Sequence, residues 1–382
     1  MIRFLTAGES HGPALTAIVE GAPAGLVVDS DGLAEELARR RLGHGRGPRM
    51  RLEKDEIEIL GGVRFGRTLG GPISVLIRNT EWERWSEEMA PGEGSSRRLM
   101  TAPRPGHADL PGMMKYDTHD ARDILERASA RETAARTVAG YVSKMLLAEV
   151  GVTIVSHVVQ IGSVVATSGP PGPEDLSRVD ASPVRCNDEE SERAMVAAVD
   201  LAKKDRDTLG GVVEVLAYGV PVGIGSHVHW DRRLDTAIAA ALMSIQGIKG
   251  VEIGDGFTSA GRPGSVAHDE IHPVDGAYER ATNRAGGIEG GISNGHVIRA
   301  RAAMKPISTL MRPLATVDVI TGEVSVAFRE RSDVCAVPAA GVVAEQMMAI
   351  VIAREMQRVY GGDTVDAFAD ADVAHRRRLA EF

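Results

Sequence analysis

An internal repeat constrains the fold of this 382-residue chain more than any other feature of its sequence. Residues 14–26 resemble residues 212–224, and each copy has the pattern of an apolar strand, a turn and then a helix. The turn positions recur 198 residues later, with Gly21, Pro23 and Gly25 matched by Gly219, Pro221 and Gly223. The repeat predicts a duplicated chain in which two related halves share one pseudo-symmetric core.

Four stretches carry helix signals, two in each half of the chain. A capped helix is predicted over 30–41 and another over 231–245, and each of them follows one copy of the repeat. Apolar residues at helical spacing predict two longer helices, one over 120–149 and one over 338–360, where a proline suits the first turn.

Strand-like segments fall in adjacent runs instead of alternating strictly with helices. This order predicts an α+β fold, a pseudo-two-fold layered sandwich with long central helices between mostly antiparallel β-sheets. We expect a single domain over 1–382, built from halves at about 1–165 and 191–382. The segment 166–190 is rich in Pro, Ser, Gly and acidic residues and is predicted to be the connecting loop.

The net charge of −9 argues against general binding to nucleic acid or to acidic membranes, because phosphates would be repelled. Basic charge is nevertheless clustered, and six arginines fall within thirteen positions: Arg39, Arg40, Arg41, Arg46, Arg49 and Arg51. Arginine suits bidentate contacts with phosphate or carboxylate, so the cluster is a candidate site for a small dianion. The alternatives are a solvated basic face and a local nucleic-acid contact.

Two distant cysteines, Cys186 and Cys335, form neither a disulfide framework nor a metal cluster and fit a reducing cytosol. The sequence has no uninterrupted apolar run of ~18 residues, and the polar residues 8–12 come too early for a signal peptide to precede them. We therefore expect a cytoplasmic protein that binds no membrane.

Three polar stretches combine charge with small residues, and together they predict one site assembled from distant parts of the chain. They are Gly8-Glu9-Ser10-His11-Gly12, residues 126–134 with Arg127, Ser129 and Arg131, and Arg331-Ser332-Asp333-Val334-Cys335. His11 lies between small residues and is a candidate general acid, although a lone histidine is more often structural. His107 shares a turn with Arg104, which suits a proton donor beside a phosphate, or a surface turn.

Other motifs carry less information. The glycine-rich segment 283–295 could wrap a phosphate or a flat ring with its backbone N–H groups, but it matches neither a Rossmann fingerprint nor a P-loop, so a flexible loop or hairpin is the simpler interpretation. His268 and His272 have the spacing of zinc ligands, but Pro273 would disrupt the helix that such a site needs, and no metal is predicted. Residues 305–309 offer a lysine and two hydroxyls as candidate phosphate ligands.

The three polar stretches, in this order and followed by Val337-Pro338-Ala339, resemble the chorismate synthase family over nearly the whole chain. That family has a pseudo-symmetric core with long helices between antiparallel sheets. The resemblance implies a lyase of the shikimate pathway that eliminates phosphate from 5-enolpyruvylshikimate 3-phosphate in a 1,4-anti reaction, giving chorismate. It also implies reduced FMN as cofactor and a homotetramer.

Matching the family motifs residue by residue implies three roles. His107 would protonate the departing phosphate, His11 would protonate reduced flavin, and Asp333 would help remove the ring hydrogen. Substrate or NADP would be bound by Ser10, Arg40, Arg46, Arg49, Arg104 and Arg131. FMN would be held by Arg127, Ala128, Ser129, Gln246, Gly247, Gly290, Lys305, Pro306, Ile307, Ser308, Thr309 and Arg331. Ala128 stands where many members have Ser, which removes one hydroxyl contact.

The sequence leaves several alternatives open. A non-catalytic protein that binds flavin phosphate or a small anion on the same fold is the second hypothesis, although intact His11, His107 and Asp333 argue against it. The sequence does not establish whether the chain reduces its own flavin with NADPH. The loop 82–96 has no predictable order without ligand.

Overall fold

The structure is a computed structural model that describes residues 1–47, 50, 53–274 and 276–382. Its strands are β1 Arg3–Ala7, β2 Ala14–Glu20, β3 Ile57–Gly61, β4 Val63–Arg64, β5 Arg67–Thr68, β6 Ile73–Arg78, β7 Thr153–Ile161, β8 Val164–Val165, β9 Gly211–Tyr218, β10 Ile248–Ile253, β11 Ile271–Val274, β12 Ala277–Arg280, β13 Ile288–Glu289, β14 Ile292–Ser293, β15 Ile298–Met304, β16 Ala315–Val317 and β17 Val324–Val326. Its helices are α1 Ser30–Arg41, α2 Trp82–Trp85, α3 Asp109–Tyr116, α4 Arg122–Ala128, α5 Thr133–Ala148, α6 Leu176–Ala181, α7 Glu189–Lys204, α8 Leu234–Met243, α9 Gly256–Ala260, α10 Gly264–Ala267, α11 Val337–Tyr360 and α12 Val365–Ala380.

Most of the strand residues belong to two sheets. The first has the order β1-β2-β6-β3 and the second the order β10-β15-β9-β7-β8. Neighbouring strands within both sheets are antiparallel. The predicted α+β class with antiparallel sheets is therefore confirmed.

The repeated turns have the same backbone conformation in both halves. Gly21 follows β2 with φ of 86° and Gly219 follows β9 with φ of 79°, values that disfavour any residue with a side chain. A Cβ at Gly21 would lie 2.4 Å from the carbonyl oxygen of Met1, and one at Gly219 would lie 2.3 Å from that of Gly151. At both positions a side chain would be disfavoured by the positive φ and would clash with a carbonyl oxygen, so glycine is required in both halves.

Two apolar helices connect the sheets in the core. Helix α5 packs on β2, helix α11 packs on β7 and β9, and the two helices contact each other. Their contact depends on Gly140, because a Cβ there would lie 2.8 Å from the Cα of Gln346. Helix α11 is long and apolar enough to cross a membrane, but nearly all of its apolar stretch is buried inside the protein.

The structure corrects two features of the predicted elements. The single helix predicted over 120–149 is broken, because Ser129 is extended (φ −63°, ψ 142°) and its side chain accepts a hydrogen bond from the amide of Arg131. The segment 166–190, predicted to be a loop, contains a 3₁₀ turn at Pro173–Asp175, helix α6 and the start of α7. Helices α7 and α12 had not been predicted.

A buried ion-pair network lies between the helices. Glu345 of α11 is fully buried and pairs with Arg39 at 2.8 Å, Lys144 at 2.8 Å and Arg185 at 2.9 Å. Burial works to raise the pKa of Glu345, but the attraction of these three cations outweighs it and lowers the pKa. The network fixes the C-terminal turn of α1, where the next residue, Arg40, lines the cavity described below.

Candidate active site

One large cavity of about 1550 Å³ brings together the three polar stretches of the sequence. Pockets for single small molecules usually measure ~300–1,000 Å³, so the cavity has room for two ligands side by side. Its described lining includes eleven Arg or Lys side chains against six Asp or Glu. The cavity is therefore locally basic in a protein whose net charge is −9, as an anion site requires.

His11 follows strand β1 and is held by helix α4. Both oxygens of the Glu126 carboxylate contact its ring Nδ1, at 2.9 and 3.0 Å, and the His11 amide donates to Oε2 at 2.8 Å. The imidazole stacks on Trp85 of α2 with ring centroids 4.2 Å apart. The Arg122 guanidinium lies over the same indole at 4.7 Å and donates to Glu126 at 2.7 Å.

His107 lies on the turn before helix α3, beside the buried carboxylate of Asp109. Nδ1 of His107 is 2.5 Å from Asp109 Oδ1, and Arg104 donates to Oδ2 from its amide at 3.1 Å and from Nε at 2.8 Å. Burial works to raise the pKa of Asp109, but the hydrogen bonds from His107 and Arg104 outweigh it and lower the pKa to about 2. This carboxylate is therefore ionised and orients an imidazole and a guanidinium together.

Arg40 and Arg131 lie deeper in the cavity and share the carboxylate of Asp55. Arg131 pairs directly with Asp55, whereas Arg40 approaches it only to 3.6 Å. Burial lowers the pKa of Arg40 to about 10, against the attraction of Asp55. Nε and Nη2 of Arg40 are buried without a hydrogen-bond acceptor in the described parts of the chain. Arg40 is therefore an undercompensated cation, which an anionic ligand would stabilise.

The third polar stretch closes another side of the cavity. Asp333 accepts from the Gly47 amide at 2.6 Å and pairs with Arg46 at 2.7 Å. Arg331 donates to both oxygens of Glu81 at 2.7 Å. These contacts join residues more than 240 positions apart, so the site depends on the complete fold.

The segment 305–309 lies against the turn that carries His107. Lys305 Nζ and Ser308 Oγ both donate to the Gly106 carbonyl, the latter at 3.0 Å, and Thr309 Oγ accepts from Arg104 at 2.7 Å. Burial, together with repulsion from Lys249, lowers the pKa of Lys305. A lysine and two hydroxyls thus stand beside one candidate proton donor.

Most of the predicted site residues line this single cavity: Ser10, His11, Arg40, Arg46, Arg104, His107, Ala128, Ser129, Arg131, Gln246, Gly247, Lys305, Pro306, Ile307, Ser308, Thr309, Arg331 and Asp333. Two do not line it. Arg127 points to β1 and donates to the carbonyls of Thr6 and Gly8, and Gly290 lies in the β13–β14 turn. Their assignment as cofactor ligands stays a prediction that the cavity does not support. Arg49 and Arg51 lie outside the described residues.

Sequence reasoning missed the two carboxylates that hold the histidines. Asp109 stands two residues after His107, and that spacing was a usable signal. Glu126 is 115 positions from His11, and nothing in the sequence alone joins them. Among the residues that the structure describes, no group of three or more His, Cys, Asp or Glu side chains is placed to hold a metal ion.

Comparison with known proteins gives one consistent result. A family model described as chorismate synthase matches residues 2–357. The chain is 60% identical over 378 residues to a chorismate synthase of Parafrankia sp. (strain EAN1pec), with 96% of each chain covered. It is 58% identical over 392 residues to that of Salinispora tropica, covering 100% of this chain and 98% of the relative. A crystal structure of a chorismate synthase superposes with a TM-score of 0.80 at 41% identity and covers 100% of this chain and 99% of its own.

Proposed function

The chain belongs to the chorismate synthase family, and we infer from that membership that it converts 5-enolpyruvylshikimate 3-phosphate to chorismate. The reaction is a 1,4-anti elimination of phosphate, the last common step of aromatic amino-acid biosynthesis. The protein is thus a carbon–oxygen lyase that acts on a phosphate ester.

The observation that carries this function is the convergence of both histidines and the arginines on one cavity. Elimination of phosphate needs a bound polyanion and a proton for the leaving group. The substrate has two carboxylates and a phosphate, and the excess of cations in the lining complements that charge. Arg40, Arg46, Arg104 and Arg131 are proposed to bind the substrate, with Arg40 as the cation that gains most from an anion. Arg49, which is outside the described residues, is proposed as a further ligand from the sequence alone.

We propose reduced FMN as the cofactor, with NADPH as a candidate reductant. The cavity has room for a flavin beside the substrate, and a buried Gln246 Oε1 has no donor in the described structure. Ala128, Ser129, Gln246 and residues 305–309 line the cavity wall, and they are proposed to hold the flavin ring and its phosphate. When bound, the reduced flavin supplies electron density to the substrate as its C–O bond breaks.

Proton handling is assigned to the two histidines and to Asp333. His107 is proposed to deliver a proton from Nε2 to the departing phosphate, because Nδ1 faces Asp109. His11 is proposed to hold a proton near the flavin, and Asp333 to assist removal of the ring hydrogen. General acid catalysis of this kind contributes on the order of 10²- to 10⁴-fold.

The test is phosphate release by His107→Ala and His11→Ala under anaerobic conditions with dithionite-reduced FMN. Both variants are expected to lose turnover by about 10²-fold or more. His229→Ala is the matched control, because this histidine is exposed and lies outside the cavity lining. Near-unchanged turnover in both site variants would reject the assignment, and a flavin absorbance shift without phosphate release would indicate a non-catalytic binding protein.

Three further proposals concern organisation. The two halves, about 1–165 and 191–382, are proposed to form one pseudo-two-fold sandwich, which the matched turns at Gly21 and Gly219 support. A homotetramer and a cytoplasmic location are proposed from the family resemblance. A stopped-flow mixture of the protein, oxidised FMN and NADPH tests whether the chain reduces its own flavin.

A further inference from the structure

Glu126 contacts His11 in a way that fixes the state of its ring. Glu126 is 3% exposed, and its carboxylate contacts both the backbone amide and Nδ1 of His11. An ionised carboxylate only accepts hydrogen bonds, so Nδ1 must carry a hydrogen in this arrangement. The proton that His11 gains or releases then resides on Nε2.

The surrounding groups keep this carboxylate ionised and in place. Burial works to raise the pKa of Glu126, but the hydrogen bond and charge of His11, with the charge of Arg122, outweigh it and lower the pKa. Arg122 and His11 each contact both Glu126 and the Trp85 ring, so the four side chains form a closed cluster. The cluster restricts rotation of the imidazole, and the His11 side chain as a whole is only 8% exposed.

We propose that Glu126 is a positioning residue, which holds His11 as the Nδ1–H tautomer and aims its Nε2 as the proton-exchanging atom. This inference rests on the proposed role of His11 in proton transfer, and it assigns the orientation of the His11 ring to the Glu126 carboxylate. Glu126 itself does not touch the reacting atoms.

The chain contains a matched control with the same three groups. In the five-stranded sheet, Glu214 contacts His157 at 3.0 Å and Arg301 at 2.8 Å, and the side chains of His157 and Glu214 are 1% and 2% exposed. None of the three lines the cavity. Glu214 binds Nε2 of His157 whereas Glu126 binds Nδ1 of His11, so the two histidines should have opposite tautomers.

The experiment compares Glu126→Gln with Glu214→Gln. A glutamine at 126 has no charge and only one oxygen, which the His11 amide engages at the Oε2 position, and its NH₂ group at the Oε1 position lies 2.9 Å from Nδ1 and favours that nitrogen as an acceptor. We expect ¹⁵N NMR of histidine-labelled protein to show His11 as Nδ1–H in the unmodified protein and as Nε2–H in Glu126→Gln, with its signal identified by its loss in His11→Ala. We expect kcat with reduced FMN to fall about 10²-fold or more, as when a catalytic imidazole has the wrong tautomer, with little change in KM. Glu214→Gln should leave the His11 tautomer and kcat unchanged.

The outcomes separate this inference from the proposed function. An Nε2–H tautomer for His11 in the unmodified protein would overturn the inference whatever the folding or activity of Glu126→Gln. A changed tautomer in Glu126→Gln with undiminished kcat would also overturn it. Absence of phosphate release by the unmodified protein would reject the proposed function, while the NMR result would still report whether Glu126 sets the tautomer.

Discussion

Replacing Asp109 by Asn should destabilise the protein in a way that depends on pH. The Asp109 side chain is fully buried and accepts hydrogen bonds from Arg104 and His107. These partners lower its pKa from 3.8 to about 2. Each pKa unit corresponds to about 1.4 kcal/mol, so ionised Asp109 contributes about 2–3 kcal/mol to the free energy of unfolding at neutral pH.

The direction of the Asp109 pKa shift decides how its contribution to stability changes with pH. A carboxylate whose pKa is lower in the folded state stabilises the protein above its unfolded pKa, near 3.8, and loses that effect as pH falls toward about 2. Asparagine does not titrate, and it leaves Arg104 without its buried anion, which adds to the loss. We expect the free energy of unfolding of Asp109→Asn to be at least about 2 kcal/mol lower than that of the unmodified protein at pH 7. This difference should narrow below pH 4.

The assay is denaturant unfolding followed by circular dichroism at fixed protein concentration, across pH 7 to pH 3. Asp231→Asn is the control, because Asp231 is an exposed carboxylate that is also paired with a histidine, and its loss should change stability by less than about 0.5 kcal/mol. Phosphate release by Asp109→Asn should fall as well, since His107 loses its orienting partner. Equal stability of Asp109→Asn and the unmodified protein, or a difference independent of pH, would contradict the stabilising role assigned to ionised Asp109.

Two further predictions concern the core. Glu345→Gln should lower the free energy of unfolding by about 3–5 kcal/mol, because it removes the buried anion that Arg39, Lys144 and Arg185 share. Denaturant unfolding measures this, and an unchanged midpoint would contradict it. Gly140→Ala should lower the free energy of unfolding by about 1–3 kcal/mol, because the added Cβ forces α5 away from Gln346 of α11. Gly71→Ala is the control and should be near neutral, because a Cβ there meets nothing within 4 Å. Thermal unfolding compares the two variants, and an equal shift of Tm in both would contradict the prediction.

Much of the fold was predictable because it depends on local chemistry. The repeated Gly-x-Pro-x-Gly turns, the apolar helix beginning near Pro338 and the antiparallel strands all have short-range signals. The break at Ser129 was not predictable from apolar periodicity, because a side-chain hydrogen bond to the Arg131 amide competes with the helix there.

The candidate site was predictable in its residue types and only partly in its contacts. His11, His107 and the arginines lie in conspicuous polar stretches, so their chemistry was visible in the sequence. Arg127 lies in the same stretch as Arg131 but points to β1, and the helix break at Ser129 separates the two arginines. No pattern in the sequence distinguished Glu126 from other helical glutamates, because its partner His11 is 115 positions away.

The function proposed for this cavity is elimination of phosphate from its substrate with the help of reduced flavin. The most direct test is phosphate release from 5-enolpyruvylshikimate 3-phosphate by the unmodified protein under anaerobic conditions, with dithionite-reduced or oxidised FMN. We predict release with reduced FMN and none with the oxidised form. Flavin binding without phosphate release in either state would contradict the claim.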